Sequence, residues 1–141
     1  MMLIISHRGN INGVDKSLEN NPVHINNLLK SNIHVEIDVW FKDGNISLGH
    51  DEPQYVVNFE FLKQNGLWCH AKNLDALYYM IQNNIENYFW HQEDFFTLTS
   101  SKYIWTYPTN LVTDKSIIVD LSKNWKNKNY NSFGVCVDYL P

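Results

Sequence analysis

The run HVEIDVW, residues 34–40, alternates with a period of two. In an extended chain successive side chains point to opposite faces. Val35, Ile37 and Val39 therefore share one face, and His34, Glu36, Asp38 and Trp40 share the other. The aliphatic face belongs against a core. The other face carries two carboxylates side by side, which repel each other unless a positive group lies between them. The positive object expected here is a metal ion.

The flanking segments extend the pattern. Met2–Ser6 reads as a short buried strand ending at His7-Arg8-Gly9. Asn21-Pro22 supplies a helix N-cap followed by proline at the first helical position, with Ile25, Leu28 and Leu29 as the apolar stripe. Asp43-Gly44 is a hairpin turn signal, and Ile46–Gly49 returns from it to deliver His50. A short helix is expected around Asn58–Gln64 and a strand at Leu67–Ala71. Asn73 then caps a helix whose Leu74, Leu77, Tyr78 and Ile81 lie on one face. Further strand-like runs fall at Asn87–His91, Tyr103–Tyr107, Ser116–Leu121 and Gly134–Tyr139. About seven strands alternating with helices predict βα units and a parallel sheet. The fold class is thus α/β. A closed barrel of eight such units usually needs about 250 residues, so 141 residues form one only with shortened or missing helices. No linker or repeat divides residues 1–141, and one domain is expected.

The totals exclude several classes. With 44% hydrophobic and 14% aromatic residues the chain is rich enough for a packed core. The formal net charge of −4 argues against nucleic acid held by a basic face. A small anionic substrate needs only a local pocket of Arg and Lys. No apolar stretch approaches the ~20 residues of a membrane span, so no stable membrane insertion is expected. The N-terminus lacks the features of a signal peptide, and a cytoplasmic protein is expected. Cys69 and Cys136 each lie in an apolar, strand-like run and read as buried free thiols.

Four clusters fall at or just beyond the C-terminal ends of the first three predicted parallel strands: His7-Arg8, Glu36-x-Asp38, His50-Asp51 and His70-x-Lys72, with Glu19-Asn20 in the first loop. Ligands in α/β sheets and barrels bind at that edge. The segments SHRGN, SLENNP, VEIDVW and KDGNISLGHDEP, in that order, resemble the glycerophosphodiester phosphodiesterase family, within the wider group of phosphatidylinositol-phospholipase-C-like phosphodiesterases. Residues 3–53 carry the likeness. Beyond them HAKN stands where the family usually has Glu-x-Lys, IWTYPTN faintly resembles a late Trp-Thr strand, and GVCVDYLP resembles the closing Thr-Asp-x-Pro strand. The family's capping insertion has no room between His50 and Lys72.

The resemblance implies a compact, distorted TIM-type β/α barrel and metal-dependent cleavage of a glycerophosphodiester or related small phosphodiester. His7 and His50 would be the acid–base pair, since imidazole titrates near working pH. Arg8 and Lys72 would bind the phosphate. Glu36 and Asp38 would hold Mg²⁺ or Ca²⁺ through hard oxygens, and Glu19 would be a further ligand or the partner that orients Arg8. His70 stands where the family has its third carboxylate ligand. A neutral imidazole favours transition metals, so Mn²⁺ is preferred, or metal binds weakly. Two alternatives keep the fold: a cyclising lyase, in which a neighbouring substrate hydroxyl attacks, and a non-catalytic phosphate- or sugar-phosphate-binding relative. Neither the leaving alcohol nor the oligomeric state is assigned.

The remaining candidates read as structural. His24 is expected to face solvent, and His34 and His91 to be core-edge residues. Asp120 either faces the mouth or caps the turn after it. Trp40, Trp68 and Trp105 are either pocket walls or packing.

Overall fold

A computed structural model describes residues 1–108 and 111–141. Ten strands and three α-helices follow in the order β1 (Leu3–His7), α1 (Pro22–Lys30), β2 (His34–Lys42), β3 (Asn45–Leu48), β4 (Tyr55–Val57), α2 (Phe59–Leu62), β5 (Leu67–Ala71), α3 (Leu74–Gln82), β6 (Tyr88–Phe89), β7 (Phe96–Leu98), β8 (Ile104–Thr106), β9 (Ser116–Val119) and β10 (Gly134–Val137). A short 3₁₀ turn, Trp125–Asn127, precedes β10.

Parallel ladders join β6, β5, β2, β1, β10, β9 and β8 in that order. Parallel pairing needs a crossover, and α1, the short α2 and α3 supply the first three. β7 adds antiparallel to β8, and β3 with β4 forms an antiparallel hairpin on the far end of β2. The carbonyls of Glu36 and Asp38 accept from the amides of Arg8 and Gly49, so β1 and β3 follow one another along the same edge of β2.

The result is a mixed α/β fold with a curled sheet. Among the described residues no ladder joins β6 to β7 or β8. That seam is held by single contacts: the Ser100 amide donates to the Tyr88 carbonyl at 2.8 Å, the Thr97 hydroxyl to the Trp90 carbonyl at 2.6 Å, and Phe89 stacks on Trp105 at 4.7 Å. The eight-unit barrel expected from the sequence is therefore not shown. Fourteen residues, 90–103, separate β6 from β8 and are occupied by β7 and loops, with no crossover helix to carry a further parallel strand.

Alternation along the strands builds the two larger of three apolar clusters among the described residues. Val35, Ile37 and Val39, with Cys69 and Ala71, pack outward against Ile25 and Leu28 of α1 and Ala76 and Met80 of α3. Ile5, Trp68, Phe89, Trp105, Ile117, Val119 and Cys136 fill the inside of the curl. Both cysteines are buried and free. Asn21 caps α1 through the amides of Val23 and His24. The hairpin turn takes positive φ at both Asp43 (53°) and Gly44 (79°), as a type I′ turn demands.

The buried face of α3 differs from the expected one. Leu74, Tyr78 and Ile81 are exposed, whereas Ala76 and Met80 are fully buried. Asn73 explains the rotation. Its side chain caps the Ala76 amide and also exchanges hydrogen bonds with the backbone of Phe41 in β2. The helix is thereby pinned with its smallest side chain against the sheet. His24 is also corrected: it is half-buried, and its Nε2 donates to the Gly9 carbonyl at 2.7 Å.

Asp120 caps the turn after β9. It accepts from the Ser122 amide and hydroxyl, the Lys128 ammonium at 2.8 Å and the Tyr130 hydroxyl at 2.5 Å. Burial would raise its carboxyl, but these donors hold it down at about 2. A depressed folded value contributes stability above the unfolded value and loses it as pH falls. Asp120→Asn should therefore cost about 2 kcal/mol at pH 7. In urea titrations the deficit should shrink between about pH 4 and pH 2; a deficit independent of pH would mean that the charge contributes nothing.

Candidate functional site

At the C-terminal end of the parallel strands a cavity of about 390 Å³ is lined by His7, Arg8, Glu36, Asp38, His50, His70, Lys72, Trp90, His91, Gln92, Trp105 and Tyr107, among others. Seven of the eight residues singled out in the sequence line this one cavity. Pairing places them there: His7 is registered with Glu36 across β1 and β2, and Asp38 with His70 across β2 and β5. His7 and His70 point inward because each shares a face with the inner-core residue two positions before it, Ile5 and Trp68.

Local backbone geometry aims the first cluster. After β1 the chain turns through two consecutive left-handed residues, Arg8 (φ 59°) and Gly9 (φ 96°). A Cβ at Gly9 would also crowd His24 at 3.2 Å and the Leu18 carbonyl at 3.3 Å. The turn lets Arg8 fold back over the site. Its Nη1 donates to Glu19 at 3.1 Å and its Nε lies 3.4 Å from Asp38. Glu19 sits beside Arg8 and outside the metal-type cluster described next.

Glu36, Asp38 and His70 bring one ligand atom each to within 4.8 Å of one another. His70 Nδ1 lies 3.2 Å from Asp38 Oδ1 and 3.9 Å from Glu36 Oε1. Lys72 Nζ is 3.9 Å from Asp38. The two carboxylates differ in electrostatics. Burial would raise Asp38, but the hydrogen bond from His70 and the Arg8 charge bring it to about 2. Burial, and then the Asp38 charge, push Glu36 upward. Glu36 is 3% exposed, and its Oε2 is buried without a hydrogen-bond partner among the described residues. An acceptor left bare in the interior costs on the order of 1–3 kcal/mol. Two carboxylates and an imidazole around such an oxygen fit a divalent cation.

Two histidines carry carboxylate partners. His7 Nδ1 lies 2.8 Å from Asp138 Oδ1, and its Nε2 is 3.9 Å from Glu36. Burial would lower the His7 imidazole, but the Asp138 hydrogen bond and the Glu36 charge leave it raised. His50 Nδ1 lies 2.7 Å from Asp51, and its side chain is 41% exposed at the rim.

No family model matches the chain, and no curated protein or solved structure matches it either.

Several residues of the site were given no role in the sequence reading. Asn20 bridges Asp38 twice, donating to Oδ2 and accepting from the backbone amide, both at 2.9 Å. Asp138 is shared by His7 and Asn10. Its position one residue past β10 is the same strand-end signal that marked the other clusters. His91 was expected at a core edge, yet it lines the cavity, stacks on His70 with centroids 4.3 Å apart, and lies 2.9 Å from the Tyr107 hydroxyl. Burial and then the His70 charge lower it to about 4, so it is neutral at neutral pH. Among the tryptophans Trp105 lines the cavity, Trp68 donates to His34 at 3.1 Å, and Trp40 donates to the Gly49 carbonyl at 2.7 Å. No helix among the described residues is long and apolar enough to cross a membrane.

Proposed function

We propose that this protein is a metal-dependent phosphodiesterase that cleaves a small phosphodiester by His7/His50 acid–base catalysis, on a compact relative of the β/α barrel. The observation that carries this reading is the convergence of three charge types in one cavity: a carboxylate–imidazole cluster, two cations, and two histidines each held by a carboxylate. A phosphodiester anion repels nucleophiles until its charge is offset, and each group answers part of that demand.

Glu36, Asp38 and His70 would hold the metal, which when bound supplies Lewis-acid polarisation of a phosphate oxygen. Arg8, with Nη1 on Glu19 and Nε against Asp38, would offer its Nη2 to the phosphate. Lys72 adds a compact positive charge. Asp138 only accepts, so His7 donates to it through Nδ1 and keeps the Nε2 lone pair for the proton of the attacking oxygen. His50 is oriented by Asp51 in the same way. As imidazolium it protonates the leaving oxygen as the bond to phosphorus breaks.

Attack by water gives a monoester and an alcohol. Attack by a neighbouring substrate hydroxyl gives a cyclic phosphate and the same alcohol. Phosphorus NMR of the products from a panel of glycerophospho-alcohols separates these two outcomes. Alcohol release is expected to stop on thorough chelation and to return with Mn²⁺, and less with Mg²⁺. Activity that survives chelation would remove the metal from the mechanism, and phosphate binding without turnover on any substrate would favour the non-catalytic reading.

A further inference from the structure

His70 has two ring nitrogens with different surroundings. Nδ1 faces Asp38 and Glu36, whereas Nε2 lies 3.4 Å from the backbone carbonyl of His91. A carbonyl only accepts, so Nε2 carries a proton there, and Nδ1 is the nitrogen turned to the carboxylates, where a bound ion would take the place of its hydrogen bond to Asp38. Metal-binding histidines are commonly held in this way, with the non-ligating N–H on a backbone carbonyl fixing tautomer and ring orientation.

The ring itself is held by a second device. His70, Phe89 and His91 lie in nearly parallel planes, inclined by 4°, 15° and 13° pairwise. Centroids are 5.2 Å apart for His70–Phe89, 4.3 Å for His70–His91 and 5.9 Å for Phe89–His91. The last distance is far shorter than the sum of the other two, so His70 is backed by both rings and not sandwiched between them. His91 makes the closer contact and is itself anchored by Tyr107 at 2.9 Å and by the Gln92 carbonyl at 3.2 Å. Its nitrogens are thus engaged away from the cluster. What it offers His70 is a flat face and a carbonyl.

We infer that His91 is a positioning residue of the metal centre, setting the orientation in which His70 presents Nδ1 to the ion beside Glu36 and Asp38. The inference rests on the metal reading above. It assigns an imidazole read from sequence as structural to the support of a ligand on the neighbouring strand. It also gives the substitution of His70 for a carboxylate a structural context: an imidazole must be held in one plane to ligate, and this chain has built the wall that holds it.

Two variants separate the ring's face from its nitrogens. His91→Phe keeps an aromatic wall and the backbone carbonyl, whereas His91→Ala keeps only the carbonyl. The readouts are Mn²⁺ affinity by calorimetry and the visible spectrum of bound Co²⁺, with thermal melts of the metal-free proteins as the fold control. His91→Ala should weaken Mn²⁺ by about 10-fold or more and shift or broaden the Co²⁺ bands. His91→Phe should restore both to near the parent. An Ala variant with parental Mn²⁺ affinity and an unchanged Co²⁺ spectrum overturns the inference while leaving the metal centre in place. A Phe variant as impaired as Ala also overturns it, because the wall was then not the cause. A parent protein that binds neither ion overturns the metal reading itself, and this inference with it.

Discussion

His7→Ala should reduce kcat by about 10³-fold or more, with the metal affinity of the cluster little changed. A positioned general acid or base contributes about 10²–10⁴-fold. His7 is the better supported of the two histidines, because its Nδ1 is fixed by Asp138 at 2.8 Å and its side chain is only 13% exposed. His50→Ala should fall in the same range. Asp138→Asn is the diagnostic companion. An amide can donate to Nδ1 as well as accept, so the other tautomer becomes accessible and Nε2 no longer keeps its lone pair. The variant should lose much of the turnover, and because His7 and Asn10 share Oδ1, an amide nitrogen at that position also costs the Asn10 hydrogen bond. Steady-state kinetics of all three, with circular dichroism to confirm folding, decide the matter. Near-parental kcat in His7→Ala would displace it from the chemistry.

The second large effect concerns Glu36 and has opposite signs with and without metal. Glu36 is buried, its Oε2 is bare, and its carboxyl is pushed up by burial and by Asp38. For a carboxyl whose folded value is raised, ionisation costs stability, and the cost is present above the folded value and relieved as pH falls through it. Glu36→Gln removes that charge. In EDTA at neutral pH the glutamine variant should melt higher than the parent by about 3 °C or more, taking on the order of 1 kcal/mol for the relieved charge. With metal the order should reverse. A ligand at about 100 times its dissociation constant adds about 2.7 kcal/mol to a protein that binds it only when folded, and the variant should gain little of this. Asp38→Asn should lose metal as well. Its carboxylate, however, is held by Asn20, Arg8 and His70, so that variant should melt lower than the parent under both conditions. Parallel melts of the three proteins, with and without Mn²⁺, test the prediction. A glutamine variant destabilised in EDTA would show that Glu36 is a structural partner of His7 and not a strained ligand.

The contrast between these two carboxylates, two residues apart on one strand, shows how much of the site lay outside the sequence pattern. Alternation in HVEIDVW placed both on one face and placed Val35, Ile37 and Val39 on the other. That is local geometry, which every extended chain obeys. The same rule put His70 and Lys72 together with Cys69 and Ala71 turned away, and turn chemistry located the Asp43-Gly44 hairpin. Strand-end position then brought His7, Arg8, Glu36, Asp38, His50, His70 and Lys72 to one cavity. None of this needed long-range information beyond a parallel sheet.

What the local rules left undecided were choices between faces and between distant partners. The α3 sequence offers two apolar stripes, and Asn73, by gripping Phe41 of β2, selected the one containing Ala76. Asp138 reaches His7 across 131 positions, Asn20 reaches Asp38 from a loop, and His91 meets His70 only because β5 pairs with β6. Whether Glu36 is bare and Asp38 saturated follows from those encounters. A side chain's periodicity states which way it points. Its partners, and with them its charge state and its strain, are set by which strands the hydrophobic cores bring side by side.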